Sequence, residues 1–155
     1  MFMDQQEFSK ILVPIDGSEG SMQAANLAIG VAAKYGAKMI AIHVVNINQY
    51  LQTLGFYSIS NPDLIKKMIN DAKQEASKWF TEIQRNAEQA KVAVSTDVID
   101  TPLSVVGGIV NYAEREKADL IVIGTKGRSG LAKLLLGSVA SGVVTYAPCP
   151  VMVAR

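Results

Sequence analysis

Little in this chain points to metal or thiol chemistry. Its 155 residues include one cysteine, Cys149, and one histidine, His43. A lone cysteine excludes an intrachain disulfide, and one Cys with one His cannot complete a four-ligand zinc site. Cys149 sits between Pro148 and Pro150 and reads as a small apolar residue in a tight turn, since an activated thiol needs a neighbouring cation or base. Charge is balanced: 15 basic against 14 acidic side chains leave a net +1, which removes the broad electrostatic argument for a nucleic-acid binder. No uninterrupted apolar run approaches the ~20 residues of a membrane span. The opening Met1–Glu7 is polar and acidic, without the basic and apolar regions of a signal peptide, so a cytoplasmic protein is expected, with residues 1–8 as a flexible N-terminal segment. A Gly-x4-Gly-Lys-Ser/Thr loop, a Gly-x-Gly-x-x-Gly after the first strand and a Gly-x-Ser-x-Gly elbow are all missing, so a P-loop ATPase, a dinucleotide site and an elbow serine hydrolase are unsupported.

What is present is a chain rich enough in apolar residues to fold. Hydrophobic residues make up 49% and charged residues 19%, which fits one domain over residues 1–155 with a sizeable core. Apolar runs predict strands at 10–15, 38–45, 119–123 and 151–154. Alternation over 92–99 predicts a strand exposed on one side or near a sheet edge. Helical spacing predicts helices over 19–35, closed by Gly36, and over 62–89, opened by Asn61-Pro62. Further helices are expected from Thr101-Pro102 to about Lys117, with Leu103, Val106, Ile109, Val110 and Ala113 inward, and over 138–147. Residues 46–60 read as an irregular but apolar stretch, open to packing under the next helix, a ligand lid or a partner contact. Strands alternating with helices imply a three-layer α/β/α open sandwich around a parallel sheet.

The most specific motif is Gly124-Thr-Lys-Gly127, nine residues, then Gly137-Ser138. It follows a buried strand and precedes a helix. Glycines let backbone N–H groups approach an anion, and a helix N-terminus adds free donors and positive dipole character. The arrangement suits a phosphate-bearing ligand. Lys126, Arg128 and Lys133 add positive charge across the loop, and Ser129-Gly130 make its start flexible enough to order on binding. Ser138 is placed to cap the helix and to donate its hydroxyl to phosphate.

With Ile11-Leu-Val-Pro14-Ile-Asp16-Gly-Ser18 near the start and Ala147-Pro-Cys-Pro150-Val-Met-Val153 at the end, this motif resembles the universal stress proteins of the ATP-binding type over residues 9–155. The resemblance implies a five-stranded sheet of order 3-2-1-4-5, an adenine nucleotide alpha hydrolase-like fold. It implies that Pro14, Ile15 and Asp16 meet a nucleoside and that Val44 reads the adenine edge through its backbone; in the alternative reading of the turn, Asp16 or Ser18 simply starts the first helix. It assigns Ile123, Gly124, Lys126, Gly127, Arg128, Gly137, Ser138, Val139 and Ala140 to the nucleotide. His43, embedded in an apolar strand, reads as a core or boundary residue. The implied ligand is ATP or another adenine nucleotide, with Mg²⁺ or Mn²⁺ held by phosphate oxygens and water. The implied assembly is a homodimer through strand 150–154.

Three functions stay open at this level. One is a regulatory nucleotide-binding module. Another is a slow ATPase or autophosphorylating protein, disfavoured because no general base is evident beside the phosphates. The third is an interaction protein that binds no nucleotide, against which the intact glycine loop stands.

Overall fold

The computed structural model describes residues 7–55, 61–125 and 136–155. Five strands, β1 (Lys10–Pro14), β2 (Lys38–Asn46), β3 (Val94–Thr101), β4 (Leu120–Gly124) and β5 (Val151–Ala154), form one parallel sheet in the order β3-β2-β1-β4-β5. Among them run α1 (Glu19–Tyr35), α2 (Ile47–Leu54), α3 (Pro62–Gln89), α4 (Val105–Glu116) and α5 (Ser138–Tyr146). The expected architecture and strand order are both present. The alternating strand is at the sheet edge, one residue pair later than its periodicity indicated.

Side chains alternate across each strand, so β1 feeds two cores. Ile11 and Val13 pack with α1 and α3, while Leu12 packs with α4 and α5; all three are fully buried. Burial on both faces is why the inner strands read as unbroken apolar runs. The inner face of α1 is Ala24, Ala25, Ala28 and Ala32, small enough to bring that helix close to the sheet. Its ends follow their caps: Ser18 Oγ accepts from the Ser21 N–H at 3.2 Å, and Gly36 adopts φ 67° with its N–H donating to the Ala32 carbonyl. The Asp119 carboxylate accepts from the Ser9 hydroxyl at 2.7 Å and from the Ser9 and Lys10 N–H groups, tying the start of β1 beside β4. Phe8 packs edge-on to Tyr35, with ring centroids 5.2 Å apart. Of the segment 1–8 expected to be flexible, residues 1–6 lie outside the described residues.

Two expectations need correction. Residues 47–54 are not irregular: they form α2, started by Asn46 Oδ1 accepting from the Gln49 N–H, and Ile47, Tyr50 and Leu51 line a small hollow shared with Ile65, Met68 and Ile69 of α3. Residues 56–60 lie outside the described residues. The helix expected from Thr101-Pro102 starts later, at Val105. Thr101 still pairs with Asn46 as the last residue of β3, its Oγ1 accepts from the Leu103 N–H, and the helix is capped by Ser104 Oγ accepting from the Gly107 N–H at 3.1 Å. Leu103 therefore precedes the helix and is 44% exposed rather than inward.

Ser104→Ala removes this cap and should cost about 1 kcal/mol of stability, read as a lower urea midpoint at unchanged slope. Thr101→Ala, outside the helix, should leave α4 intact; if it instead removes helical signal and Ser104→Ala does not, the observed start of α4 is wrong.

Candidate functional site

The strand order reverses between β1 and β4, and their C-terminal ends part there. Past β1, the Ile15 N–H still donates to the Ile42 carbonyl at 2.7 Å. The chain then turns at Gly17, whose φ of 78° and whose contact with Trp79 both demand glycine: a Cβ there would run into the indole. Ser18, not Asp16, caps α1. Asp16 Oδ1 accepts from the Ser18 N–H at 2.9 Å, which holds its carboxylate at the crevice. His43 Nδ1 lies 2.7 Å from the Ile15 carbonyl oxygen. A carbonyl only accepts, so Nδ1 carries the proton. The imidazole also meets the Trp79 ring edge-on at 5.2 Å. The chain's one histidine and one tryptophan thus brace the turn that carries Asp16.

Past β4, the Thr125 N–H donates to the Ala154 carbonyl at 3.0 Å and the Gly137 N–H to the Thr125 carbonyl at 2.7 Å, so the two ends of the glycine loop are joined. Gly124 has a packing reason that its motif reading missed. A Cβ on it would stand 2.7 Å from the Gly20 carbonyl carbon and oxygen, so the absent side chain admits the first turn of α1. Ser138 does not cap α5. Gly137 holds the N-cap position with extended backbone, and Ser138 is the first helical residue. No side chain among the described residues caps α5, whereas α1, α2, α3 and α4 each have a Ser or Asn cap. The leading turn of α5 lines the crevice, and no described side chain takes up its N–H groups.

These ends enclose a cavity of about 340 Å³, within the usual range for small-molecule sites. Pro14, Ile15 and Asp16 line it from β1, Val44 from β2, and Ile123 and Gly124 from β4. Gly137, Ser138, Val139 and Ala140 line it from α5. The structure thus gathers ten of the expected site residues around one space; Lys126, Gly127 and Arg128 lie outside the described residues. Sequence reasoning did not assign Ser21, Ile42, Gln49, Val105, Ile109 or Thr125 to this wall, and it placed His43 at a core boundary. Ile42, Val105 and Ile109 are apolar positions that periodicity cannot tell from ordinary core. Asp16 and His43 are the titratable side chains on the described wall.

Other hollows are differently made. One of about 360 Å³, at Gln84, Glu88 and Val92–Val94, opens at the opposite, N-terminal end of β3. One of about 260 Å³ lies between β3 and α4. There the Tyr112 hydroxyl donates to Asp97 at 3.1 Å and its pKa is pushed up to about 12, by burial first and the Asp97 charge second. Burial, and then the Asp119 charge, also push the Cys149 thiol up, away from the thiolate form. Among the described residues no group of three His, Cys, Asp or Glu could hold a metal ion, and no helix is long and apolar enough to cross a membrane.

The family model of the universal stress proteins matches residues 7–155. The chain belongs to the universal stress protein family. Universal stress protein MJ0531 of Methanocaldococcus jannaschii is 38% identical over 149 residues, covering 96% of this chain and 82% of that relative. Universal stress protein YxiE of Bacillus subtilis is 31% identical over 150 residues, covering 96% and 99%. Among solved structures, UspA from Lactobacillus plantarum shares the fold with a TM-score of 0.83 at 24% identity, over 96% of this chain and 99% of that one. Three structures of the same fold contain adenine nucleotides. A universal stress protein in complex with cAMP is 22% identical with a TM-score of 0.69, over 97% and 98% of the two chains. That of Archaeoglobus fulgidus, in complex with dAMP, is 19% identical with a TM-score of 0.66, over 97% and 100%. A family protein from Arabidopsis thaliana with AMP bound is 18% identical with a TM-score of 0.65, over 94% and 90%.

Because its missing Cβ is a packing requirement, Gly124→Ala should destabilise the fold by about 1–3 kcal/mol, with or without ligand. Urea unfolding of the purified variant reads this, and an unchanged midpoint would mean that β4 and α1 can separate freely.

Proposed function

We propose that the chain is a regulatory stress-response module that binds an adenine nucleotide, with ATP as its ligand, in the cavity at the strand C-termini. The observation that carries this is the placement of the Asp16 carboxylate and the N-terminus of α5, which no described side chain caps, on the wall of one crevice. Free helix N–H groups and the glycine loop suit phosphates. A carboxylate in the acceptor-only state suits ribose hydroxyls. The apolar wall of Ile42, Val44, Val105 and Ile109 suits the faces of a base. The cAMP, dAMP and AMP held by three proteins of the same fold support this class of ligand.

The described wall offers no cluster of acidic side chains for a metal cage, so Mg²⁺ or Mn²⁺ would ride on the phosphate oxygens and water. Binding, rather than turnover, is the proposed output. The Ser18 N–H holds the Asp16 carboxylate and His43 commits Nδ1 to Ile15, which supports a binding role for this wall. Occupancy of the 124–137 loop would alter a surface read by a partner in the cytoplasm.

Calorimetric titration with ATP and Mg²⁺, and chromatography of nucleotide released from denatured protein, test the reading. ATP should bind, and Gly127→Val with Gly137→Val should weaken it by at least tenfold, about 1.4 kcal/mol, while the melting temperature stays near that of the parent chain. Hydrolysis should stay below about 1 s⁻¹, under the ordinary enzyme range. A chain that ignores every adenine nucleotide would leave the glycine loop purely structural.

We also propose a homodimer through residues 150–154. β5 is the outer strand with β4 as its neighbour, and an uncovered apolar edge favours pairing with a second copy. Light scattering should give twice the chain mass, and Val153→Pro, which removes an N–H turned away from β4 to the open edge, should halve it; a monomeric parent chain would sink the proposal.

A further inference from the structure

The pairing of β1 with β2 stops short of where it could run, and a side chain stops it. The last main-chain bond between the two strands goes from the Ile15 N–H to the Ile42 carbonyl at 2.7 Å, and their register ends with Pro14 opposite Ile42. A parallel ladder joins a residue's N–H to one carbonyl of the neighbouring strand, and its carbonyl to the N–H two residues further on. The next rung would therefore carry the Val44 N–H to the Ile15 carbonyl. Instead, His43 Nδ1 lies 2.7 Å from that oxygen and donates to it. Ile15 is 2% exposed, so its carbonyl needs a partner within the protein, and the imidazole supplies one.

His43 can do this because of where the pleat puts it. Side chains alternate across a strand, so His43 follows Met39 and Ala41 on the face that α3 covers. Val44 follows Ile40 and Ile42 on the face that α4 covers. Trp79 of α3 meets the imidazole edge-on, with centroids 5.2 Å apart, and its indole stands where a Cβ on Gly17 would be. One rung further, the Gly17 N–H would reach the Val44 carbonyl, but the chain turns there at φ 78°. Main-chain groups repeat their direction at every second residue of a strand. Those of Ile42 are turned to β1, so those of Val44 are turned to the same side, where β1 has ended and the cavity opens. Among the described residues no main-chain group of β1 or its turn pairs with Val44.

We propose that His43 is a positioning residue for the nucleotide: its Nδ1–H occupies the Ile15 carbonyl in place of the Val44 N–H, and so keeps the main-chain N–H and carbonyl of Val44 open to the base. This rests on the nucleotide reading above and goes beyond it, because it gives the cause of the open main-chain edge that family resemblance assigns to adenine. The imidazole acts on the ligand through the strand and the turn. Without its donor a buried carbonyl is left unpaired, which is costly, and the N–H next in the ladder, that of Val44, closes onto it.

Two variants and two readouts test this. His43→Leu has no donor, whereas the amide of His43→Asn can donate from near the position of Nδ1. In the ligand-free parent chain, hydrogen exchange followed by NMR should show the Val44 amide exchanging about tenfold faster, or more, than that of Ile42, which the ladder holds. ATP with Mg²⁺ should slow it. In His43→Leu the Val44 amide should become as protected as that of Ile42, and calorimetry should give ATP binding weaker by about tenfold or more. His43→Asn should recover most of both. If the Val44 amide of the free parent chain is already as protected as that of Ile42, or if His43→Leu folds and binds ATP as the parent chain does, the role of His43 is overturned while nucleotide binding stands. Should His43→Leu not fold, the exchange of the parent chain decides alone. If the parent chain binds no adenine nucleotide, the nucleotide reading itself fails and takes this inference with it.

Discussion

β1 pairs with β2 on one side and β4 on the other, yet the chain leaves these neighbouring strands toward opposite layers. α1 returns over the face shared with α3, and α5 over the face shared with α4. Right-handed crossovers demand this once the strand order reverses. The strand ends then diverge, and no connection can fill the gap between them. Asp16 and Gly124, distant in sequence, come to flank a single space. Every feature of the candidate site depends on that reversal. A sheet built in simple sequence order would bury the same strands and have no such crevice.

Close approach of backbones sets the dimensions of the crevice. Gly124 admits the first turn of α1, Gly108 lets α4 sit on Val44 and Thr101, and Gly142 meets the Val106 side chain where α5 crosses α4. Gly17 accepts the face of Trp79. These glycines draw helix termini toward the strand ends, so that N–H groups, a carboxylate and apolar side chains share one small volume. The same residue type thus serves packing at several positions. The glycine motif carries information about helix–sheet distance as well as about a ligand, and Gly124 both admits α1 and lines the cavity.

Helix ends show where local chemistry was legible. Ser18, Asn61 and Gly36 act at the positions their residue types indicate, because a cap is a contact between near neighbours in sequence. Thr101-Pro102 misled for the same local reason: it has the form of a cap and a first-turn proline. Its pairing with Asn46 of β2 keeps Thr101 in the sheet, and Ser104 takes over the cap. Ser138 likewise looked like a cap, but the hydrogen bond of the Gly137 N–H to the Thr125 carbonyl sets the helix start one residue earlier. α2 was missed because eight residues give too few turns to show a period.

The sequence alone determined the strands and most of the helices, since buried runs, helical spacing and caps are properties of short stretches of chain. Its motifs, through family resemblance, also indicated the strand order and the Pro14–Asp16 and Gly137–Ala140 segments of the cavity. Tertiary structure alone decided which other groups join them. Ser21, Gln49, Val105 and Thr125 reach the same wall from α1, α2, α4 and the end of β4, and His43 meets both Ile15 and Trp79. Contacts of that kind are set by how strands pair and helices cross. No local pattern encodes them, because the partners come together only after the whole sheet has formed.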